Sequence, residues 1–320
     1  MVAPSWRRWV ADNLLRGVEP TDLAEGLREG GVPSSLAHRT VAEILASPGL
    51  AAARAARVEA LRLAHVVRLQ GAMAGPPAVA RELAPDADGL RARYWATSTP
   101  VVFTDIVPRW RRPWTPEDLC ARFGDVTIEA CTGREGDPSP DANWQAHRVE
   151  LTLREYVDRM RGHDRSNDLY LIANNRNTAR PELRALWDDV VLPEGWFQPA
   201  RLPYGSALWL GPAGTITPLH HDTSNILFCQ VYGRKRIVLA PPWATALLDS
   251  AVGVYNRRTP QQLRDEGIPS VEVIVQPGEA LFLPVGWWHD VRALDASVSL
   301  AINAFGWPNG LDWYRPGRER

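Results

Sequence analysis

His220 and Asp222 stand two residues apart in Thr217-Pro-Leu-His220-His-Asp222. On an extended strand residues i and i+2 project from one face, so this imidazole and carboxylate can converge on one ion while His221 points the other way. A second histidine, His289, closes the stretch Gly278-Glu-Ala-Leu-Phe-Leu-Pro-Val-Gly-Trp-Trp, which reads as a turn, a buried strand, a tight turn and the opening of a new strand. Two histidines and one carboxylate form the facial ligand set of non-haem Fe(II) centres and leave three coordination positions open. A lone His-x-Asp is a weak signal, because such pairs often cap turns, and a single histidine is more often a hydrogen-bonded core residue. The segments occurring together and in order carry more weight, and a basic residue lies between Asp222 and His289. Lys235 is the single lysine among the chain's 36 lysines and arginines. A compact ammonium suits a pocket that takes one carboxylate end-on, where a planar guanidinium would not fit.

These side chains need strands to hold them. From about residue 95 the sequence breaks into short β-branched runs between turn residues: 100–103, 126–128, 169–172, 206–210, 226–231, 236–239, 271–275, 280–283 and 298–302. Many short strands at this spacing predict a sandwich or barrel. Tyr232-Gly233-Arg234 reads as the turn that puts Lys235 at the start of the returning strand. Helices are expected over 115–123 and 153–161, and the Pro-, Gly- and Asp-rich stretch from Arg134 to Ala142 is expected to be a mobile loop. The first ninety residues read as helical, with Thr21 and then Ser34 or Ser35 as N-caps and a long helix from about Leu50 to Met73. The expected division is a helical region over 1–90 and a β-rich domain over 91–320.

Composition narrows the classes further. A formal net charge of -1 gives no footprint for nucleic acid or an acidic membrane surface, and the cluster Arg109-Trp-Arg-Arg reads as a solvated face. Three cysteines without Cys-x-x-Cys spacing exclude a disulfide framework and fit a reducing cytoplasm. The N-terminal stretch lacks the apolar core of a signal peptide, and no segment is long and apolar enough to span a bilayer. Fourteen tryptophans suit an aromatic-walled pocket and suit core packing equally; Trp287 and Trp288 stand beside His289.

The chain resembles the Jumonji-C and cupin-like 2-oxoglutarate-dependent oxygenases, especially those that hydroxylate amino-acid side chains in proteins and peptides. The resemblance runs over roughly residues 95 to 310. It rests on Thr217-Pro-Leu-His220-x-Asp222 with Asn225, Gln230, Gly233 and Lys235 downstream, on Pro241-Pro242, and on Gly278-Glu-x-Leu-Phe-Leu-Pro-x-Gly-Trp-Trp-His289. It implies a mainly β fold with helices, a double-stranded β-helix (jelly-roll) core behind an N-terminal helical region. It implies further that His220, Asp222 and His289 hold Fe(II) and that Lys235, assisted by Thr217, pairs with the distal carboxylate of 2-oxoglutarate. Tyr170 matches a tyrosine reaching the same carboxylate, and Asn225 and Asn303 match amides lining the metal pocket. Asn225 comes one residue earlier after the aspartate than in relatives, and Asn303 one residue closer to His289, offsets that a local bulge would absorb. Position 172 is isoleucine where some relatives carry a polar substrate contact.

The implied reaction inserts one oxygen atom from O2 into a C–H bond of a protein, peptide or amino-acid-like substrate, with release of succinate and CO2. No side-chain nucleophile or general base is required, in keeping with the absence of a Ser-His-Asp or Cys-His arrangement. Three other readings stay open: a cupin metalloenzyme that does not use 2-oxoglutarate, a non-catalytic binding module, and demethylation of methyl-lysine by the same chemistry. The chain ends soon after the barrel, so a homodimer would be expected to use the N-terminal helices.

Overall fold

The computed structural model describes residues 2–310; the C-terminal stretch from Trp313 lies outside the described residues. The chain divides into two units, Met1–Met73 and Ala74–Arg320. The break falls earlier than residue 90 because the strand Ala80–Glu82 already pairs with Val101–Phe103 of the second unit.

The first unit consists of α1 (Pro4–Arg16), α2 (Pro20–Glu29), α3 (Ser34–Leu45) and α4 (Pro48–Ala74). Prolines open α1, α2 and α4, where the missing N–H costs nothing and the fixed φ already matches the helix. For this reason the expected caps are not caps. Pro20 starts α2 one residue ahead of Thr21, and Pro33 occupies the cap position of α3, so Ser34 is already helical. Val10, Leu14, Leu23, Leu27, Val41 and Ile44 recur at helical spacing and meet in one apolar core. In α4 only Leu50 is buried. Among the described residues no helix is long and apolar enough to cross a membrane.

Among its described residues the second unit contains fourteen strands: β1 (Ala80–Glu82), β2 (Val101–Phe103), β3 (Thr127–Cys131), β4 (Arg148–Thr152), β5 (Ser206–Gly211), β6 (Ile216–His221), β7 (Ile226–Tyr232), β8 (Lys235–Ala240), β9 (Ala251–Val252), β10 (Tyr255–Asn256), β11 (Val271–Val275), β12 (Ala280–Leu283), β13 (Trp288–Ala293) and β14 (Ser297–Ile302). One six-stranded sheet runs β1-β2-β12-β7-β14-β5 and the other β11-β8-β13-β6-β10-β9, while β3 and β4 form a separate pair. The non-consecutive neighbours, antiparallel from β2 onward, are those of a jelly-roll, so the expected double-stranded β-helix is borne out.

The period of two sets the layers. On β7, Leu227 and Cys229 join the outer core with Phe282, Leu300 and Ile302, while Phe228 between them faces Ile237, Leu281 and Val291 inside the barrel. Each such buried side chain contributes roughly 1.5–3 kcal/mol. A one-residue slip would exchange the two layers, so burial on both faces fixes the register. Gly233, at φ 67°, makes the turn that returns β7 into β8. A Cβ there would lie 2.1 Å from the carbonyl oxygen of Ala296, so both conformation and space require glycine.

The helices Pro116–Phe123 and Leu153–Arg161 lie where the sequence predicts them; Thr115 caps the first through the Asp118 N–H, and Thr152 with Glu155 forms a capping box on the second. Residues 169–172 do not form a strand. They make only two bridges, to opposite sides: Cys131 pairs with Tyr170, and Leu171 with Leu210 on the edge of β5 that β14 leaves open. The stretch from Arg134 to Ala142 is a loop, as expected, and Arg134 and Asp141 within it are buried.

Candidate active site

β6 and β13 are antiparallel neighbours with His220 and His289 as direct cross-strand partners. Asp222 follows β6 by one residue, and the strand's alternation turns it to the same side as His220. One nitrogen from each imidazole and one carboxylate oxygen all lie within 4.8 Å of one another. The rings of His220 and His289 are 4.0 Å apart, and His289 Nε2 is 3.4 Å from Asp222 Oδ2.

Backbone carbonyls fix both tautomers. His220 Nδ1 donates to the Pro218 carbonyl at 2.8 Å and His289 Nδ1 to that of Trp287 at 3.0 Å. A carbonyl only accepts, so each Nδ1 carries the proton and each Nε2 lone pair is left for an ion. Burial, reinforced by the charge of His289, lowers the His220 pKa to about 4, so its ring is neutral at pH 7. Two imidazole nitrogens and a carboxylate oxygen converging on one side of an open cavity fit a divalent ion of the Fe(II) type. His221 projects to the opposite face, where its ring meets Trp288 edge-on at 4.7 Å.

The same cavity, about 470 Å³, reaches from the triad to Lys235. Lys235 opens β8 with 1% of its surface exposed, and Nζ donates to the Tyr170 hydroxyl at 3.2 Å. The rings of Phe228, Tyr170 and Trp209 lie 5.3, 5.6 and 5.7 Å from this nitrogen. Thr217 lines the cavity too, although it is an odd number of residues from His220. The register shifts between the pairs His289–His220 and Val291–Thr217, and this bulge gives β6 the extra residue that returns Thr217 to the face of the histidine. An ammonium among rings, with a tyrosine hydroxyl and no carboxylate partner among the described residues, is a site for an anion.

Asn303 lines the cavity, just past β14. Asn225 does not, and here the expectation is corrected. Its Oδ1 accepts from Val285 N–H at 3.0 Å and its Nδ2 donates to Asn309 Oδ1 at 2.9 Å, so both ends of the amide tie the β6–β7 loop to neighbouring loops. Trp287 and Trp288 are likewise outside the cavity. The indole of Trp287 donates to the Ser98 carbonyl and packs on Trp243, and Trp288 packs on His221. Among the described residues the tryptophan that walls the pocket is Trp209. Leu208 and Leu210 on β5 belong to the outer core, and that alternation was the available signal. Asp141 and Tyr255 also line the cavity, and nothing in their sequence surroundings marked them.

Residues 87–308 match the family described as the cupin-like domain. Among curated proteins, the chain is similar to lysine-specific demethylase JMJ30 of Arabidopsis thaliana, 31% identical over 235 residues that make up 69% of this chain and 53% of the relative. It is also similar to lysine-specific demethylase 8 of Xenopus tropicalis, 27% identical over 234 residues, 68% of this chain and 51% of the relative. Against Jumonji C domain-containing protein 5 of Drosophila melanogaster it is 39% identical over 104 residues, 29% of this chain and 26% of that one. The chain thus spans about half the length of the Arabidopsis and Xenopus relatives. With its double-stranded β-helix, its His-Asp-His cluster on β6 and β13 and a match over 87–308, the chain belongs to the cupin-like family and has Jumonji-C relatives.

Proposed function

We propose that the protein is an Fe(II)- and 2-oxoglutarate-dependent oxygenase that hydroxylates an amino-acid side chain in a protein or peptide, with release of succinate and CO2. The observation that carries this reading is Lys235, an ammonium buried without a carboxylate partner among the described residues, in the cavity that also holds the His220–Asp222–His289 cluster. A cupin metalloenzyme with no dicarboxylate cosubstrate has no use for such a charge, and a binding module has no use for the cluster.

In this reading His220, Asp222 and His289 would hold the metal, which would supply the activation of O2. The protein's own groups do the rest. Lys235, Tyr170 and Thr217 hold the far carboxylate by charge-assisted hydrogen bonds, which orients the cosubstrate along the cavity. Phe228, Trp209 and Ile237 exclude water around that carboxylate and strengthen its pairing with Lys235. Asn303 offers an amide to whatever lies beside the metal. The carbonyls of Pro218 and Trp287 keep both imidazoles aimed as the cavity fills.

A second reading is favoured by the names of the Arabidopsis and Xenopus relatives, which are lysine-specific demethylases. Hydroxylation of an N-methyl carbon gives a carbinolamine that releases formaldehyde and the free amine, so the same site serves either outcome. Incubation of peptides with Fe(II), 2-oxoglutarate and O2 separates them. A stable gain of one oxygen in mass spectrometry marks hydroxylation, and loss of CH2 with formaldehyde marks demethylation. No conversion of 2-oxoglutarate to succinate under any substrate would reject both. We infer that a homodimer would use the N-terminal helices, where α4 exposes Leu61, Leu63, Leu69 and Met73; sedimentation of the chain with and without residues 1–73 tests this.

A further inference from the structure

We propose that Asp141 determines substrate specificity, by accepting the ammonium or guanidinium of the side chain to be oxidised; this rests on the oxygenase reading above. The cavity has few charges on its walls. Once Asp222 is given to the metal and Lys235 to the cosubstrate, Asp141 is the one charged side chain among the described residues lining it that has no assignment.

Its setting is built. Arg134 has no exposed surface; its Nε donates to the Asn167 carbonyl at 3.1 Å, and its Nη2 to the Ile216 carbonyl at 3.1 Å and to Asp141 Oδ2 at 3.0 Å. Its guanidinium also lies over the Tyr170 ring at 5.3 Å. The arginine is thereby fixed to the start of β6 and to the segment before Tyr170, and it holds only one of the two Asp141 oxygens. Asp141 Oδ1 takes no hydrogen bond from the described residues, although the side chain is 4% exposed and lines the cavity. Burial raises the Asp141 pKa above its ordinary value, and the charge and hydrogen bond of Arg134 offset this only in part.

A buried ion pair offsets little of its own desolvation, and an apolar pair of the same size would hold this loop as well or better. The carboxylate gains a use when a donor enters the cavity and takes the second oxygen. Asp141 shares its cavity with Tyr255 and with His220, Asp222 and His289. Tyr255 is the cross-strand partner of His220 and its ring lies 5.8 Å from that imidazole. A long side chain anchored at Asp141 would occupy the cavity that Tyr255 and the triad also line. An acidic side chain would meet Asp141 and be refused.

The test uses the full chain loaded with Co(II) and 2-oxoglutarate, and reads binding of N-acetyl-arginine amide and N-acetyl-lysine amide against the neutral citrulline and norleucine analogues by calorimetry or saturation-transfer NMR. The cationic amides should bind about tenfold to a hundredfold more tightly than their neutral counterparts, the range of a charge-assisted bond. Asp141→Asn should abolish that difference. Because this substitution leaves the Arg134 charge stranded, the double variant Arg134→Met with Asp141→Leu, which removes the pair together, should fold and show the same loss. Equal binding of cationic and neutral amides, no binding of any amide, or a cation preference that survives both variants overturns the proposal. Failure of the native chain to take up Co(II) and 2-oxoglutarate at all, measured first, strikes the oxygenase reading as well.

Discussion

The Nζ of Lys235 and the hydroxyl of Tyr170 stand 3.2 Å apart, inside the barrel and away from bulk water. Tyr170 is held there by the backbone bridge of its own residue to Cys131, and Lys235 by the first β8 pairings, to Val275 and to Ala293. Two separate parts of the chain thus deliver one cation and one hydroxyl to the same point. Without an anion the ammonium is desolvated and only partly compensated, which costs stability.

Removing that charge should therefore have opposite effects on folding and on binding. Lys235→Met fills the same space without a charge, and its melting temperature in the absence of cosubstrate is expected to equal or exceed that of the native chain. Its dissociation constant for 2-oxoglutarate is expected to rise about tenfold to a hundredfold, the loss of a charge-assisted hydrogen bond of roughly 1.5–3 kcal/mol. Lys235→Arg keeps the charge but cannot place a planar fork among the rings of Phe228, Tyr170 and Trp209, so cosubstrate binding weakens while metal uptake stays. Calorimetry with and without Co(II) reads both quantities. An unchanged affinity for 2-oxoglutarate in Lys235→Met would remove Lys235 from the site.

The adjacent histidines give a sharper contrast. His220 points into the cavity and His221 into a contact with Trp288, as the alternation of β6 requires. His220→Ala should abolish tight binding of Co(II) or Fe(II), and Asp222→Ala should do the same. His221→Ala should keep the metal and lose only packing, which thermal unfolding would register. Retained metal affinity in His220→Ala would mean that the cluster on β6 and β13 is not the centre.

What was legible in the sequence followed from period and punctuation. His220 and Asp222 could be placed on one face because strand alternation is strict over two residues, and Lys235 at the head of β8 because Gly233 marks the turn. Thr217 joins their face through a bulge that only the pairing with β13 shows. Asn225 went astray for a physical reason. An amide that lines a pocket and an amide that ties two loops have the same residue type and the same spacing from Asp222, and only the position of Asn309, 84 residues away, decides between them. Asp141 was invisible because its role depends on Arg134 turning inward from a segment whose composition is that of an exposed loop. The helix caps were misplaced where a proline already fixed the first turn.

The loop that carries Asp141 should also respond to acid. Asp137 accepts from His147 Nε2 at 2.9 Å, from Ser139 N–H at 2.7 Å and from Asn143 Nδ2 at 2.9 Å, and these bonds, that of His147 first, lower its pKa to about 2. The folded value lies below that of the unfolded chain, about 4, so the contribution to stability is complete above the unfolded value and is lost as pH falls through the folded one. The difference in melting temperature between the native chain and Asp137→Asn should be constant above about pH 5 and shrink toward about pH 2. Hydrogen exchange over residues 134–147 should rise across the same window. A difference independent of pH would show that Asp137 is not ionised in this network.

Asn225 provides the test that separates holding the site from forming it. Asn225→Ala leaves the buried Val285 N–H without its acceptor and removes one of the two donors to Asn309 Oδ1, which keeps the backbone N–H of residue 225; the orphaned N–H should cost about 1–3 kcal/mol of stability. Val285 belongs to the tight turn that precedes β13, and Gly286 donates to the Asp222 carbonyl at 3.1 Å, so the loosened segment lies next to two of the three candidate ligands. Metal affinity should therefore fall with stability. The affinity of the metal-loaded variant for 2-oxoglutarate should stay at the native value, because no atom of Asn225 reaches the cavity. Calorimetric titration of 2-oxoglutarate into the Co(II)-loaded variant decides the point. A weakened cosubstrate with unchanged melting temperature would return Asn225 to the pocket and make the Asn309 contact incidental.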